Sequence, residues 1–104
     1  FRGALELMLA NIEIPLTVDQ ISNRLGFSSG LLERIFARNG FEPPQKYYQK
    51  IRLNRARQLL EQTRMSQAEI ALACGYENQS HVGRSNKKIF GRSPKAVWDL
   101  TRVA

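Results

Sequence analysis

Thr17, Ile21, Gly26 and Phe27 recur as Ser66, Ile70, Gly75 and Tyr76 at an offset of 49 residues. Leu32 and Arg34 recur as Val82 and Arg84 at an offset of 50, and Gly40 and Pro43 as Gly91 and Pro94 at an offset of 51. Each copy supplies a hydroxyl to start a helix, an apolar residue to bury, a glycine for a sharp exit and an aromatic after it. A chain that repeats these parts in this order must build one small helix-turn-helix unit twice. No stretch alternates with the period of two that a half-buried strand requires.

The local signals agree along the chain. Leu5, Met8, Leu9 and Ile12 fall on one helical stripe and predict an opening helix, which Pro15 ends. Thr17 with Gln20, and Ser66 with Glu69, form capping boxes. Val18, Ile21 and Leu25 then face inward, as do Leu32, Ile35 and Phe36 after a cap at Ser28 or Ser29. Pro43-Pro44 suits the start of a helix and not its interior. A long helix from about Pro44 to Gln62 is predicted, with Tyr48, Ile51, Leu53, Ala56, Leu59 and Leu60 as its apolar positions. Ile70, Ala71 and Cys74 pack inward from the next helix, Gly75 turns the chain, and another helix runs from near Asn78 to Gly91. Ser93-Pro94 opens a last helix with Val97 and Trp98 inward. The expected fold is all-α, about seven helices: a helix-turn-helix subdomain over 1–42, a linker helix over 43–63 and a second subdomain over 64–104.

Composition narrows the function. The 104 residues carry a net charge of +7, unevenly spread. Residues 1–45 hold four Lys/Arg against five Asp/Glu, whereas residues 46–104 hold twelve against four. A polyanion or an anionic surface is the partner such an excess attracts, and a merely solvated basic face is the plain alternative. One cysteine excludes an intrachain disulfide framework and fits a reducing compartment, here the cytoplasm. One histidine and one cysteine leave no metal cluster, no nucleophile–base constellation and no phosphate-cradling glycine loop, so neither an enzyme nor a cofactor is expected. No apolar run reaches the ~18 residues of a membrane span. The start at Phe1-Arg2-Gly3 reads as a piece cut from a larger protein.

The segment Ile70-Ala71-Leu72-Ala73-Cys74-Gly75-Tyr76, followed by Gln79-Ser80-His81, Arg84, Phe90-Gly91 and Ser93-Pro94, resembles the signature of the AraC/XylS transcription regulators. Arg52-Leu53-Asn54-Arg55-Ala56-Arg57-Gln58-Leu59-Leu60 is similar to that family's linker helix, and the likeness extends over nearly the whole chain. Leu32-Glu33-Arg34 and Tyr47-Tyr48 look closest to the branch whose N-terminal domain is similar to the DJ-1/PfpI or amidase fold. The resemblance implies a bacterial DNA-binding domain whose two subdomains enter successive major grooves. It also implies a separate N-terminal domain that senses an effector or dimerises, and RNA polymerase as a partner of the full-length protein.

The recognition helices are then expected at about 28–39 and 78–90. Arg84 is a candidate for a bidentate contact to guanine, or else for a phosphate or surface ion pair, and Arg34 matches it. Gln79 and Ser80 lie where helix N-termini meet bases and phosphate, though both could be plain caps. His81 either packs or touches phosphate. Ser29, Gly30 and Glu33 hold the corresponding places in the first unit; Gly30 offers no side chain, and Glu33 could accept from cytosine or pair within the protein. Lys50, Arg57, Lys87, Lys88 and Arg92 are the phosphate candidates, each with a solvated surface charge as its alternative. Gly83 either allows close approach to DNA or is a tolerated weak point. Asn86 occupies a core position where Phe36 stands in the first unit, and so is expected to be hydrogen-bonded or partly exposed. A helical protein-interaction module with an incidental basic face is the main rival. RNA binding is weaker, because exposed aromatic platforms are not evident.

Overall fold

The computed structural model describes residues 1–91 of the chain. Six helices follow one another: α1 Arg2–Ala10, α2 Val18–Leu25, α3 Ser29–Arg38, α4 Pro44–Gln62, α5 Gln67–Ala73 and α6 Gln79–Phe90. No strand occurs among the described residues. The predicted last helix from Ser93-Pro94, with Val97 and Trp98, lies outside them.

The helix starts are chemical and local. Thr17 accepts from the Gln20 N–H at 3.1 Å while Gln20 accepts from the Thr17 N–H at 2.8 Å, and Ser66 and Glu69 repeat the arrangement at 3.1 and 3.2 Å. Ser28 caps α3 through the Leu31 N–H at 3.1 Å, and Asn78 caps α6 through the His81 N–H at 2.9 Å. The repeat is equally visible at the turns. Gly26 and Gly75 have φ of 75° and 81°, and Gly40 and Gly91 have 76° and 72°. After the first pair, the Phe27 N–H reaches back to Ser22 O and the Tyr76 N–H to Ala71 O, both at 2.9 Å. These are the same helix-ending bond, made twice.

Each unit has its own core. Ala4, Met8, Ile21, Leu32, Phe36 and Tyr48 form the first, and Leu53, Ala56, Leu60, Ile70, Ala71, Cys74, Tyr76 and Val82 the second. Helix α4 therefore serves both: its N-terminal half lends Tyr48 and Ile51 to one core, and its C-terminal half lends Leu53, Ala56 and Leu60 to the other. The molecule is correspondingly elongated, 43 × 24 × 21 Å. An edge-to-face and stacked group of Phe1, Phe36, Phe41 and Tyr47 closes the outer end of the first core, with Phe1 stacked on Phe41 at 4.5 Å.

One expectation changes and one resolves. Helix α1 ends at Ala10, and its inner stripe is Ala4 and Met8; Leu9 points outward at 55% exposure. The leucines of α1 outnumber the places its neighbours α2 and α4 can cover, so periodicity alone picks the wrong edge of the apolar face. Asn86 is 4% exposed, so it takes the buried course and not partial exposure, and it is partnered.

Candidate nucleic-acid interface

Helices α3 and α6 each bury one face and leave the other to solvent. In α3, Leu32 and Phe36 point into the core, and Gly30, Glu33, Arg34, Ala37 and Arg38 are exposed. In α6, Val82 and Asn86 point inward, and Ser80, Arg84, Lys87 and Lys88 are exposed. Spacings of three and four residues put each exposed set on one stripe. The 50-residue offset superposes the two stripes, Arg34 on Arg84 and Arg38 on Lys88.

Neither Arg34 nor Arg84 has an ion pair among the described residues. Both side chains are exposed. Glu33 also lacks an ion pair there. The α6 stripe holds three cations and no acid, whereas the α3 stripe sets Glu33 beside Arg34 and Arg38. Sequence reasoning passes over Arg38; the signal for it is the repeat, which maps it onto the phosphate candidate Lys88.

The other candidates are more engaged with the protein. Gln79 donates its amide to the Gln67 side chain, tying the start of α6 to the start of α5. Half-buried His81 packs edge-on against Tyr76, with ring centroids 5.1 Å apart and planes at 87°. Ser29 is half-buried, and Gly30 faces open space: nothing lies within 4 Å of where a Cβ would stand. Among the phosphate candidates, Arg57 lies 3.9 Å from Glu61 on the same helix, a loose exposed pair that a stronger anion can replace. Lys50 is held by Glu42, with Nζ 2.8 Å from Oε2 and 2.9 Å from Oε1. Arg92 lies outside the described residues.

One arginine has a different task. Arg52 of α4 donates from Nε to Cys74 O at 2.9 Å and from Nη2 to Gly75 O at 2.7 Å, while its guanidinium carbon sits 4.2 Å from the centre of the Tyr76 ring. It thereby satisfies carbonyls exposed where α5 ends, and the positive charge suits that helix terminus. Spacing gives no hint of these contacts, which lie 22 and 23 residues away in the chain.

Comparison with known proteins places this arrangement. Residues 21–98 match a family model described as a helix-turn-helix domain. The chain is 44% identical over 92 residues to the HTH-type transcriptional regulator ArgR of Pseudomonas aeruginosa, covering 88% of this chain and 28% of that protein. It is 34% identical over 95 residues to the regulator GlxA of Rhizobium meliloti, covering 91% and 29%. The chain thus spans under a third of the length of these relatives. Among solved structures, a transcriptional regulator from Chromobacterium violaceum, described as an AraC-type DNA-binding domain-containing protein, is 43% identical, with a TM-score of 0.80 over 91% of this chain and 85% of that one. The DNA-binding domain of AdpA, determined in complex with a target DNA, shares the fold with a TM-score of 0.83 at 22% identity, over 98% and 92%. With two capped helix-turn-helix units, a shared linker helix and this set of relatives, the chain belongs to the AraC-type family of helix-turn-helix DNA-binding domains.

Proposed function

We propose that this domain reads double-stranded DNA with both units at once, α3 and α6 lying in successive major grooves. The domain is a sequence-specific DNA binder of the transcription-regulator kind and not an enzyme. What carries the two-groove reading is the pair of superposable stripes, each with an exposed arginine at the same place: Arg34 and Arg84.

In this reading Arg34 and Arg84 contact base edges, with Ser29, Gly30 and Glu33 beside the first and Gln79, Ser80 and His81 beside the second. An arginine fork on guanine O6 and N7 discriminates by about 1–3 kcal/mol. Lys87, Lys88, Arg38, Arg57 and Arg92 hold phosphates, and Lys50 takes part only if it leaves Glu42. The uneven charge divides the labour: α6 and α4 supply most of the electrostatic affinity, and α3, with its acid, mainly selects sequence. Since the units differ in sequence, one domain reads an asymmetric site. Two recognition helices in successive grooves stand about 34 Å apart, a distance that the 43 Å long axis accommodates.

The whole protein would place this domain beside a region that senses an effector or dimerises, act on RNA polymerase at promoters, and work in the cytoplasm. No helix among the described residues is long and apolar enough to cross a membrane. Selection of the domain against a randomised duplex pool at physiological salt, followed by footprinting, tests the reading. An asymmetric site spanning two major grooves supports it. A site covering one groove rejects simultaneous reading, and the absence of any enriched sequence rejects DNA reading and favours a protein-interaction module.

A further inference from the structure

Besides sharing the linker helix, the two units touch directly, and the contact is steric as well as polar. A Cβ on Gly75 would stand 2.6 Å from Ile12 O and 2.7 Å from Pro15 Cδ, so the turn of the second unit lies directly on the α1–α2 loop of the first. Ile12 itself packs against the second core although it belongs to the first unit's chain. Helix α4 grips both sides of this contact. On one side the Tyr48 hydroxyl donates to Asn11 O and accepts from the Leu16 N–H at 3.1 Å, which holds the loop at both ends. On the other side, one turn further along, Arg52 holds the carbonyls of Cys74 and Gly75.

We infer that this junction, with Tyr48 and Arg52 as positioning residues, sets the angle and separation of the two reading helices and thereby the spacing of DNA subsites that the domain accepts. The inference rests on the two-groove reading proposed above. A linker helix alone fixes only where each unit is attached. A unit held by one helix can still rock about it, and an inserted base pair, which turns one subsite by roughly a tenth of a helical turn, could be followed by such rocking. With the turn of one unit locked on the loop of the other, the rocking is blocked and the insertion must be met by strain or a lost contact. Neither side chain needs to touch DNA for this effect. Two carbonyls on one planar fork make Arg52 hard to replace: lysine retains the charge but cannot bridge both oxygens in that geometry.

The test uses the selected site and duplexes derived from it by adding or removing one base pair between the subsites. Wild type, Arg52→Gln, Arg52→Lys and Tyr48→Phe are titrated against each duplex, after circular dichroism confirms that each variant is folded. Wild type is expected to lose about tenfold in affinity per base-pair change, the equivalent of one good base contact. Tyr48→Phe and Arg52→Gln are expected to lose less than about threefold, with Arg52→Lys between, while base substitutions inside each subsite affect all four proteins alike. An even loss of affinity at every spacing, with the spacing profile unchanged, would assign both residues to stability alone and overturn the inference. If Arg52→Gln does not fold, Tyr48→Phe decides. A wild type that discriminates bases but tolerates every spacing overturns the inference and leaves DNA reading intact. A wild type that discriminates neither overturns DNA reading, and the inference with it.

Discussion

Lys50 and Glu42 form the shortest ion pair among the described residues, with 2.8 Å between Lys50 Nζ and Glu42 Oε2. The Lys50 hydrogen bond holds the Glu42 carboxyl below its ordinary value of 4.5, and the ammonium also lies 5.9 Å from the centre of the Phe90 ring. A lysine committed in this way contributes little to counterion release on DNA. Lys88→Ala is expected to flatten the log–log dependence of binding on salt by a slope of about 1, and Lys50→Ala by less than about half of that. Titrations at a series of salt concentrations check it; equal slopes for the two variants would return Lys50 to the phosphate set.

Arg34 and Arg84 hold equivalent stripe positions on α3 and α6 and are both unpaired within the described residues. Truncating either to alanine is expected to weaken specific binding by about 1–3 kcal/mol and to relax base preference at one end of the site only. The two variants should affect opposite ends. Repeating the selection with each variant measures this, and a uniform loss with the preferred sequence intact would reassign that arginine to phosphate.

Two glycines invite the same substitution with opposite results. At Gly75 an added Cβ meets backbone at 2.6 Å on a φ of 81°, so Gly75→Ala is expected to destabilise by at least about 2 kcal/mol. At Gly30 nothing lies within 4 Å, so Gly30→Ala is expected to stabilise by about 0.4–1 kcal/mol, largely by restricting the unfolded chain. Urea denaturation followed by circular dichroism resolves both. Destabilisation by Gly30→Ala would mean that the start of α3 is held by something other than its backbone.

Burial raises the Cys74 thiol above its ordinary value of 9.0 and the Tyr76 hydroxyl above 10.0, against smaller opposing effects of nearby arginines. Ser85 lies beside the Tyr76 hydroxyl, which makes no hydrogen bond of good geometry among the described residues. Both groups are neutral when protonated, and both have folded values above their unfolded ones. Their contribution to stability is therefore full below the unfolded values and is lost as pH rises through the folded ones. Denaturation midpoints should be level on approach to pH 9 and fall beyond it. Cys74→Ala should lower the plateau through a small cavity while removing the earliest part of that fall. An alkaline fall unchanged by Cys74→Ala would assign it to Tyr76 or to the lysines.

The caps, turns and helix limits are readable because their chemistry is local. Thr17 and Gln20 need only each other, Gly26 needs only its own φ, and Pro44 to Gln62 is bounded by a proline pair and a broken apolar pattern. The repeat also marks Arg34 and Arg84, since equivalent places in equivalent units must face the same way. The features that stay hidden lie across the tertiary contacts. Nothing within a few residues of Arg52 indicates two carbonyls beyond the next turn. Helical spacing makes Tyr48 one more member of an apolar stripe, although its hydroxyl closes a loop more than thirty residues back in the chain. Leu9 fails for a related reason: a helix with apolar residues on more than one edge does not say which edge its neighbours will cover.

Helix α4 belongs to two cores at once, and that limits how the domain can diverge. Each residue added to an α-helix rotates the chain beyond it by about 100° and advances it by about 1.5 Å. One insertion between Ile51 and Leu53 would carry the second unit around the axis and leave its reading stripe facing away from that of the first. Surface substitutions on α3 and α6 can rewrite the preferred bases one at a time. A change in the length of α4 has no such gradual route, so descendants of this domain should drift freely in vocabulary while keeping the same metre.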